Sequence, residues 1–245
     1  TQILFDGIYN HSEVWINGHS LGYRPFGYVA FYYDLTPFLN TDGSDNVIAV
    51  HVDRSRYVDS RWYTGSGIYR NVKLVVTGEV HVPIWGTTIL TPEVTSERAK
   101  VLISTELRND SEQARVVNVS TTLLDDSGLN IGRDMKRLEI AARSTELLRQ
   151  EVIVANPQLW DIDNPNLYFA QTEVRSEEQL LDSKSTRLGI RSLRNDAKTG
   201  FFLNGRNVKI KGVNLHHDAG LVGAAVPIGV WKRRLEVLKE AGVNA

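Results

Sequence analysis

Short runs of alternating apolar and polar residues, broken by turn signals, dominate most of the chain. Val14-Trp15-Ile16 runs into Asn17-Gly18 and then His19-Ser20-Leu21-Gly22. Asn-Gly between apolar runs predicts a two-residue hairpin, because both residues accept positive φ. Phe31-Tyr32-Tyr33-Asp34-Leu35 follows, and Thr36-Pro37 and Asp42-Gly43-Ser44 interrupt it. Residues 46–52 are apolar on both faces, the pattern of a strand in the middle of a sandwich. Residues 1–77 show no 3.6-residue period, which predicts an antiparallel sandwich of jelly-roll type.

Aromatic residues thin out over 78–188, while the alternation continues at 100–107, 116–123, 144–148 and 167–174. Turns are signalled at Asn109-Asp110-Ser111, Asp125-Asp126-Ser127-Gly128 and Asn164-Pro165-Asn166. About seven short strands over roughly 100 residues predict an immunoglobulin-like sandwich.

The pattern changes class over 189–245. Residues 201–214 read as strand, Asn204-Gly205 turn and strand, followed by the loop Leu215-His216-His217-Asp218. A helix begins near Ile228, with Trp231, Leu235 and Leu238 on one stripe and Gly242 placed to end it. These residues predict a βα unit that opens a repeated β/α domain. A lone βα unit leaves its strand uncovered, so the pattern calls for continuation. The chain opens Thr1-Gln2-Ile3 and stops at Val243-Asn244-Ala245, both inside an expected element, and it reads as a segment of a longer protein. The fold class is mainly β, divided at 1–77, 78–188 and 189–245.

Charge removes some classes of function. Across 245 residues, 28 Lys and Arg face 29 Asp and Glu, a formal net charge of −1. No global field draws the chain to nucleic acid or to an anionic membrane. Cysteine is absent, so thiol nucleophiles, thiolate metal sites and disulfides are excluded. No apolar run approaches the ~20 residues of a membrane span. Phosphate loops, dinucleotide fingerprints and Gly-x-Ser-x-Gly elbows are missing as well.

Two segments are candidates for chemistry. His216, His217 and Asp218 follow the end of a strand, where (β/α)₈ barrels carry their active sites. They suit hydrogen bonds to sugar hydroxyls or proton transfer, and equally a loop whose polar residues cap the next backbone. Neighbours on an extended backbone point opposite ways, so three converging metal ligands are not expected. Asp59-Ser60-Arg61-Trp62-Tyr63-Thr64-Gly65-Ser66-Gly67-Ile68-Tyr69-Arg70 sets an Arg beside aromatics on a Gly-rich turn. Such a loop suits stacking and planar hydrogen bonds to a sugar, or a packed turn with Trp62 in the core and Arg70 in a salt bridge. Trp15, Trp85, Trp160, Tyr23, Tyr28, Tyr32 and Tyr33 fit either a sugar-binding face or sandwich core.

Four segments together resemble glycoside hydrolase family 2, in particular its bacterial β-galactosidase-like members. Val14 to Gly22, with Gly27-Tyr28 and Tyr33-Asp34-Leu35-Thr36, looks like that family's sugar-binding jelly roll. Ser60 to Val72 looks like its closing strand and loop. Leu159-Trp160-Asp161 with Asn164-Pro165-Asn166-Leu167-Tyr168 is similar to the end of its immunoglobulin-like domain. Phe202-Leu203-Asn204-Gly205 through Asp218 is similar to the entry into its catalytic barrel.

The resemblance implies a retaining exo-glycosidase, most readily one acting on β-galactosides, with β-glucuronides and β-mannosides as near alternatives. The two catalytic glutamates of the family lie on later barrel strands, so no catalytic residue is assigned here and the segment alone is expected to be inactive. Substrate contacts carry over to His216 and, more weakly, to His217 and Asp218. Arg61 stands where some members place an aspartate that reaches the sugar and a nearby ion. No cofactor is assigned, and a monovalent or divalent cation is left to the full-length enzyme. The implied partner is an oligosaccharide or β-galactoside; a homo-oligomer stays open. So does the compartment, with a periplasmic or extracellular degrader as the fit by resemblance. The competing reading is a non-catalytic carbohydrate-binding or adhesion protein of two β-sandwiches.

Overall fold

Strand β1 (Gln2–Phe5) sits between β5 (Phe31–Asp34) and β8 (Val72–Val75) in an antiparallel sheet. The second sheet places β3 (Ser12–Ile16) between β4 (His19–Arg24) and β6 (Ile48–Val52). A two-residue pair, β2 (Ile8–Tyr9) with β7 (Gly67–Ile68), stands beside them. Asn17 at φ 50° and Gly18 at φ 84° turn β3 into β4, as the Asn-Gly pair predicts. The strands bury Ile3, Phe5, Ile8, Val14, Ile16, Phe31 and Leu35 in one core. Each such side chain contributes about 1.5–3 kcal/mol of apolar burial.

The strand expected within 46–52 forms over Ile48–Val52. Among the described residues β6 pairs with β3 alone, with Val47 63 % and Ile48 39 % exposed. A run apolar on both faces reports side-chain type, not how many neighbouring strands hydrogen-bond to it.

The computed structural model describes residues 1–55, 65–216 and 218–245. They divide into two units, Thr1–Val76 with Lys211–Ala245, and Thr77–Ile210. The second unit is a two-sheet sandwich. One sheet holds β10 (Thr87–Val94), β11 (Arg98–Asn109) and β14 (Ser144–Ala155), with β9 (Val80–His81) also on β11. The other runs β13 (Asn130–Ile140), β12 (Arg115–Leu124), β15 (Tyr168–Ser176) and β16 (Gln179–Leu188). β11 and β14 pair without a break from Arg98↔Ala155 to Asn109↔Ser144. Alternation puts Ala99, Val101, Ile103, Thr105, Leu107 and Asn109 inward along β11.

That core is split. One cluster contains Val101, Ile103, Leu123, Val152 and Tyr168, and the other Leu107, Val117, Val119, Leu148 and Val174. A buried polar layer crosses between them, made of Thr105, Thr121, Gln150 and Thr172. Thr121 donates to Gln150 Oε1 at 2.7 Å and shares a 2.9 Å hydrogen bond with Thr172. The Gln150 amide donates to the carbonyls of Asp134 at 2.8 Å and Val119 at 3.2 Å.

A small sheet of β17 (Leu193–Asp196), β18 (Gly200–Leu203) and β19 (Arg206–Asn207) completes this unit. Its turn is Asn204 at φ 50° and Gly205 at φ 77°. Asn204 ties it to the sandwich, donating to the Trp160 carbonyl at 2.9 Å and accepting from Ser192 N–H at 3.0 Å.

Candidate functional site

The strand expected across 206–214 is interrupted after β19. Residues 211–213 lie instead against the chain's last residues. Ala245 N–H donates to Lys211 O at 3.2 Å, and Val213 N–H donates to Ala245 O at 3.1 Å. Those two bonds straddle Gly212 in the pattern of a parallel pair. The Asn244 side chain accepts from Lys211 N–H at 2.7 Å. Gly212 allows the close approach, since a Cβ there would meet Ala245 O at 3.2 Å.

The crossover between these two extended pieces is α1 (Ile228–Glu240). Its end matches the sequence reading. Gly242 at φ 85° donates to Lys239 O at 2.9 Å, and Val243 N–H donates to Leu238 O at 3.0 Å. Trp231 and Leu238 are half-buried, whereas Leu235 is 54 % exposed, so the expected stripe holds in part.

The loop after Val213 therefore leaves the C-terminal end of an extended piece that pairs in parallel with Ala245, after the helix, similar to the position where α/β folds collect their ligand contacts. Asn214 and His216 are exposed there, and Asp218 is half-buried. Arg234 of α1 donates to the Asp218 carbonyl at 2.6 Å, and its guanidinium lies 5.3 Å from the Trp231 ring centroid. The helix thus pins one end of the loop through a backbone contact. His217 and Arg61 lie outside the described residues. Among the described residues, no three His, Asp or Glu side chains gather where a metal ion would sit.

At the described end of the second candidate segment the chain turns through glycines. Gly65 at φ 73° and Gly67 at φ 116° carry the chain into β7. The Tyr69 hydroxyl donates to Gly27 O at 2.7 Å, and burial pushes that phenol's pKa up. The aromatic residues divide between the two readings. Trp15, Trp160, Tyr32 and Tyr33 are half-buried, whereas Tyr23, Tyr28 and Trp85 are exposed.

The carboxyls with a resolved shift all move down. Ser44 lowers Asp42, Arg143 lowers Glu112, Ser127 lowers Asp125 and Thr199 lowers Asp196, each by hydrogen bonding to the anion. A glycosidase proton donor needs the opposite shift. These four are anions that close turns or pair with Arg.

Comparison with known proteins agrees with this architecture. Residues 1–78 match the model described as glycosyl hydrolases family 2, sugar binding domain, and residues 81–191 match that of glycosyl hydrolases family 2. The chain belongs to glycosyl hydrolases family 2. It is 46 % identical over 243 residues to a β-galactosidase of Bacteroides ovatus, covering 99 % of this chain and 28 % of that protein. A family 2 member from Bacteroides cellulosilyticus has a similar structure, with TM-score 0.95 and 34 % identity over 99 % of this chain and 33 % of its own. The Bacteroides uniformis β-glucuronidase matches with TM-score 0.91 and 29 % identity, over 99 % of this chain and 30 % of that one. The chain thus spans about a third or less of each of these three proteins.

Proposed function

We propose that this chain is the front part of a retaining exo-glycosidase that hydrolyses β-galactosides. The observation that carries the reading is the 46 % identity to a β-galactosidase along nearly the whole chain. The β-glucuronidase likeness at 29 % identity keeps the glucuronide as the competing substrate. In the proposed reaction two carboxyl groups about 5–5.5 Å apart act as nucleophile and acid/base. They lie on the barrel beyond residue 245. This chain's part is to bind and orient. His216 and Asp218, at the strand-end loop, hydrogen-bond sugar hydroxyls, with His217 beside them. Arg61 supplies planar donors from the first sandwich.

The test uses the full-length protein with nitrophenyl β-galactoside and β-glucuronide. The galactoside is expected to have the higher kcat/KM by at least about tenfold, a difference of roughly 1.4 kcal/mol in transition-state binding. The reverse preference would overturn the galactoside assignment. His216→Ala and Arg61→Ala should each lower kcat/KM about tenfold or more, the scale of one lost hydrogen bond to substrate. Wild-type rates in both would remove them from the site. Turnover of neither substrate, with sugar binding retained, would favour the adhesion reading.

A further inference from the structure

Lys232-Arg233-Arg234 on α1 is a run of three cations, a sequence that ordinarily faces water. The fold separates them. Lys232 and Arg233 are exposed, whereas Arg234 is half-buried. Its guanidinium lies 5.3 Å from the Trp231 ring centroid, within reach of a cation–π contact. From that position Nη1 donates to the Asp218 carbonyl at 2.6 Å, a charge-assisted hydrogen bond.

The bond goes to the main chain although Asp218 carries a carboxylate of opposite charge. A guanidinium fork suits a carboxylate, yet among the described residues no ion pair reaches this one. Arg234 instead fixes the peptide that follows Asp218, and the carboxylate keeps its acceptor sites. Beyond it the chain closes on itself. Ala219 N–H donates to Gly223 O at 3.0 Å and Gly223 N–H to Gly220 O at 3.1 Å, and Ala224 and Val226 are buried. Before it, Val213 is tied to Ala245. Asp218 thus stands between two fixed points, with its own backbone held by a side chain from the helix.

We propose that Arg234 is a positioning residue, clamping the Asp218 backbone so that its carboxylate meets a sugar hydroxyl instead of being drawn into an ion pair. This role rests on the glycosidase reading and on the place of Asp218 in that site. Arg234 acts through Asp218 and touches no substrate itself. Lysine replaces it only in part, because an ammonium lacks the flat guanidinium that lies against the indole while one arm reaches the carbonyl.

The experiment compares full-length wild type with Arg234→Met, Arg234→Lys, Asp218→Ala, the Arg234→Met/Asp218→Ala double variant and Arg233→Met. The substrates are nitrophenyl β-galactoside and β-glucuronide. Arg234→Met should lower kcat/KM about tenfold on the better substrate, and Arg234→Lys should recover part of that loss. Arg233→Met, at the exposed neighbour, should match wild type. In the Asp218→Ala background, Arg234→Met should cost no more than about twofold further, because the group it positions is already gone. A further loss of about tenfold there overturns the role, since Arg234 would then support the fold and not Asp218. So does a wild-type rate in Arg234→Met or in Asp218→Ala, whatever the change in Tm. If the wild type turns over neither substrate, the glycosidase reading fails separately, and amide exchange decides the clamp. Exchange from Ala219 to Gly223 that is about tenfold faster in Arg234→Met, with β11 and β14 unchanged, supports it. Equal exchange overturns it.

Discussion

Asn109 begins a triplet, Asn109-Asp110-Ser111, that fits the pattern for attaching a glycan, yet it has no exposed surface. Its amide lies within hydrogen-bonding reach of the Gln113, Ile140 and Ala141 carbonyls, and its Oδ1 accepts from Ser111. A three-residue pattern carries no information on burial. Tyr168 is a second residue whose role depends on its surroundings. Burial pushes its pKa up, while its hydroxyl oxygen accepts Gln158 N–H at 2.8 Å. Its neutral form is favoured in the fold, and the unfolded phenol titrates near about pH 10. The stabilising contribution is therefore complete below about pH 10 and is lost as pH rises through the higher folded value. Tyr168→Phe should cost about 1 kcal/mol at neutral pH, for the acceptor it removes, and reduce the alkaline loss. Urea midpoints at pH 7 and pH 11 measure both; equal alkaline losses in the two proteins would contradict it.

At the scale of elements, turns were the most readable part. Asn17-Gly18, Asn204-Gly205 and Gly242 adopt the positive φ values that their types announce. The pairing of β6 with β3 was not readable, because a partner strand far along the chain decides it. Nor was the polar layer, since Thr105, Thr121, Gln150 and Thr172 come from four separate strands and each looks ordinary in its own run. Gln150→Leu tests that layer. It removes the acceptor for Thr121 and the amide that donates to the Asp134 and Val119 carbonyls. We expect a loss of about 2–3 kcal/mol by denaturant unfolding, the cost of unsatisfied buried polar groups. A neutral result would mean that the layer relaxes or takes up water.

For the whole molecule, the mainly β class and the family were visible through family-like motifs, whereas Arg61 and His217 lie outside the described residues. Packing is uneven. α1 has no buried residue, whereas β11 and β14 hydrogen-bond along their full length. Amide exchange in this 245-residue chain should be slowest in β11 and β14 and faster by orders of magnitude in α1. Comparable protection in both would show that α1 gains cover in solution.

The polar layer has a consequence for how the sandwich finds its alignment. Sliding one strand past another by a single residue turns every side chain to the wrong face and is strongly penalised. Sliding by two residues keeps each side chain on its face, and in an all-aliphatic core that error would cost little. Here it would carry Gln150 away from the Thr121 hydroxyl and into the Val101, Ile103 and Val152 cluster or the Leu107 and Leu148 cluster. The four polar side chains act as a notch that distinguishes correct alignment from its nearest look-alike, at the expense of some apolar burial.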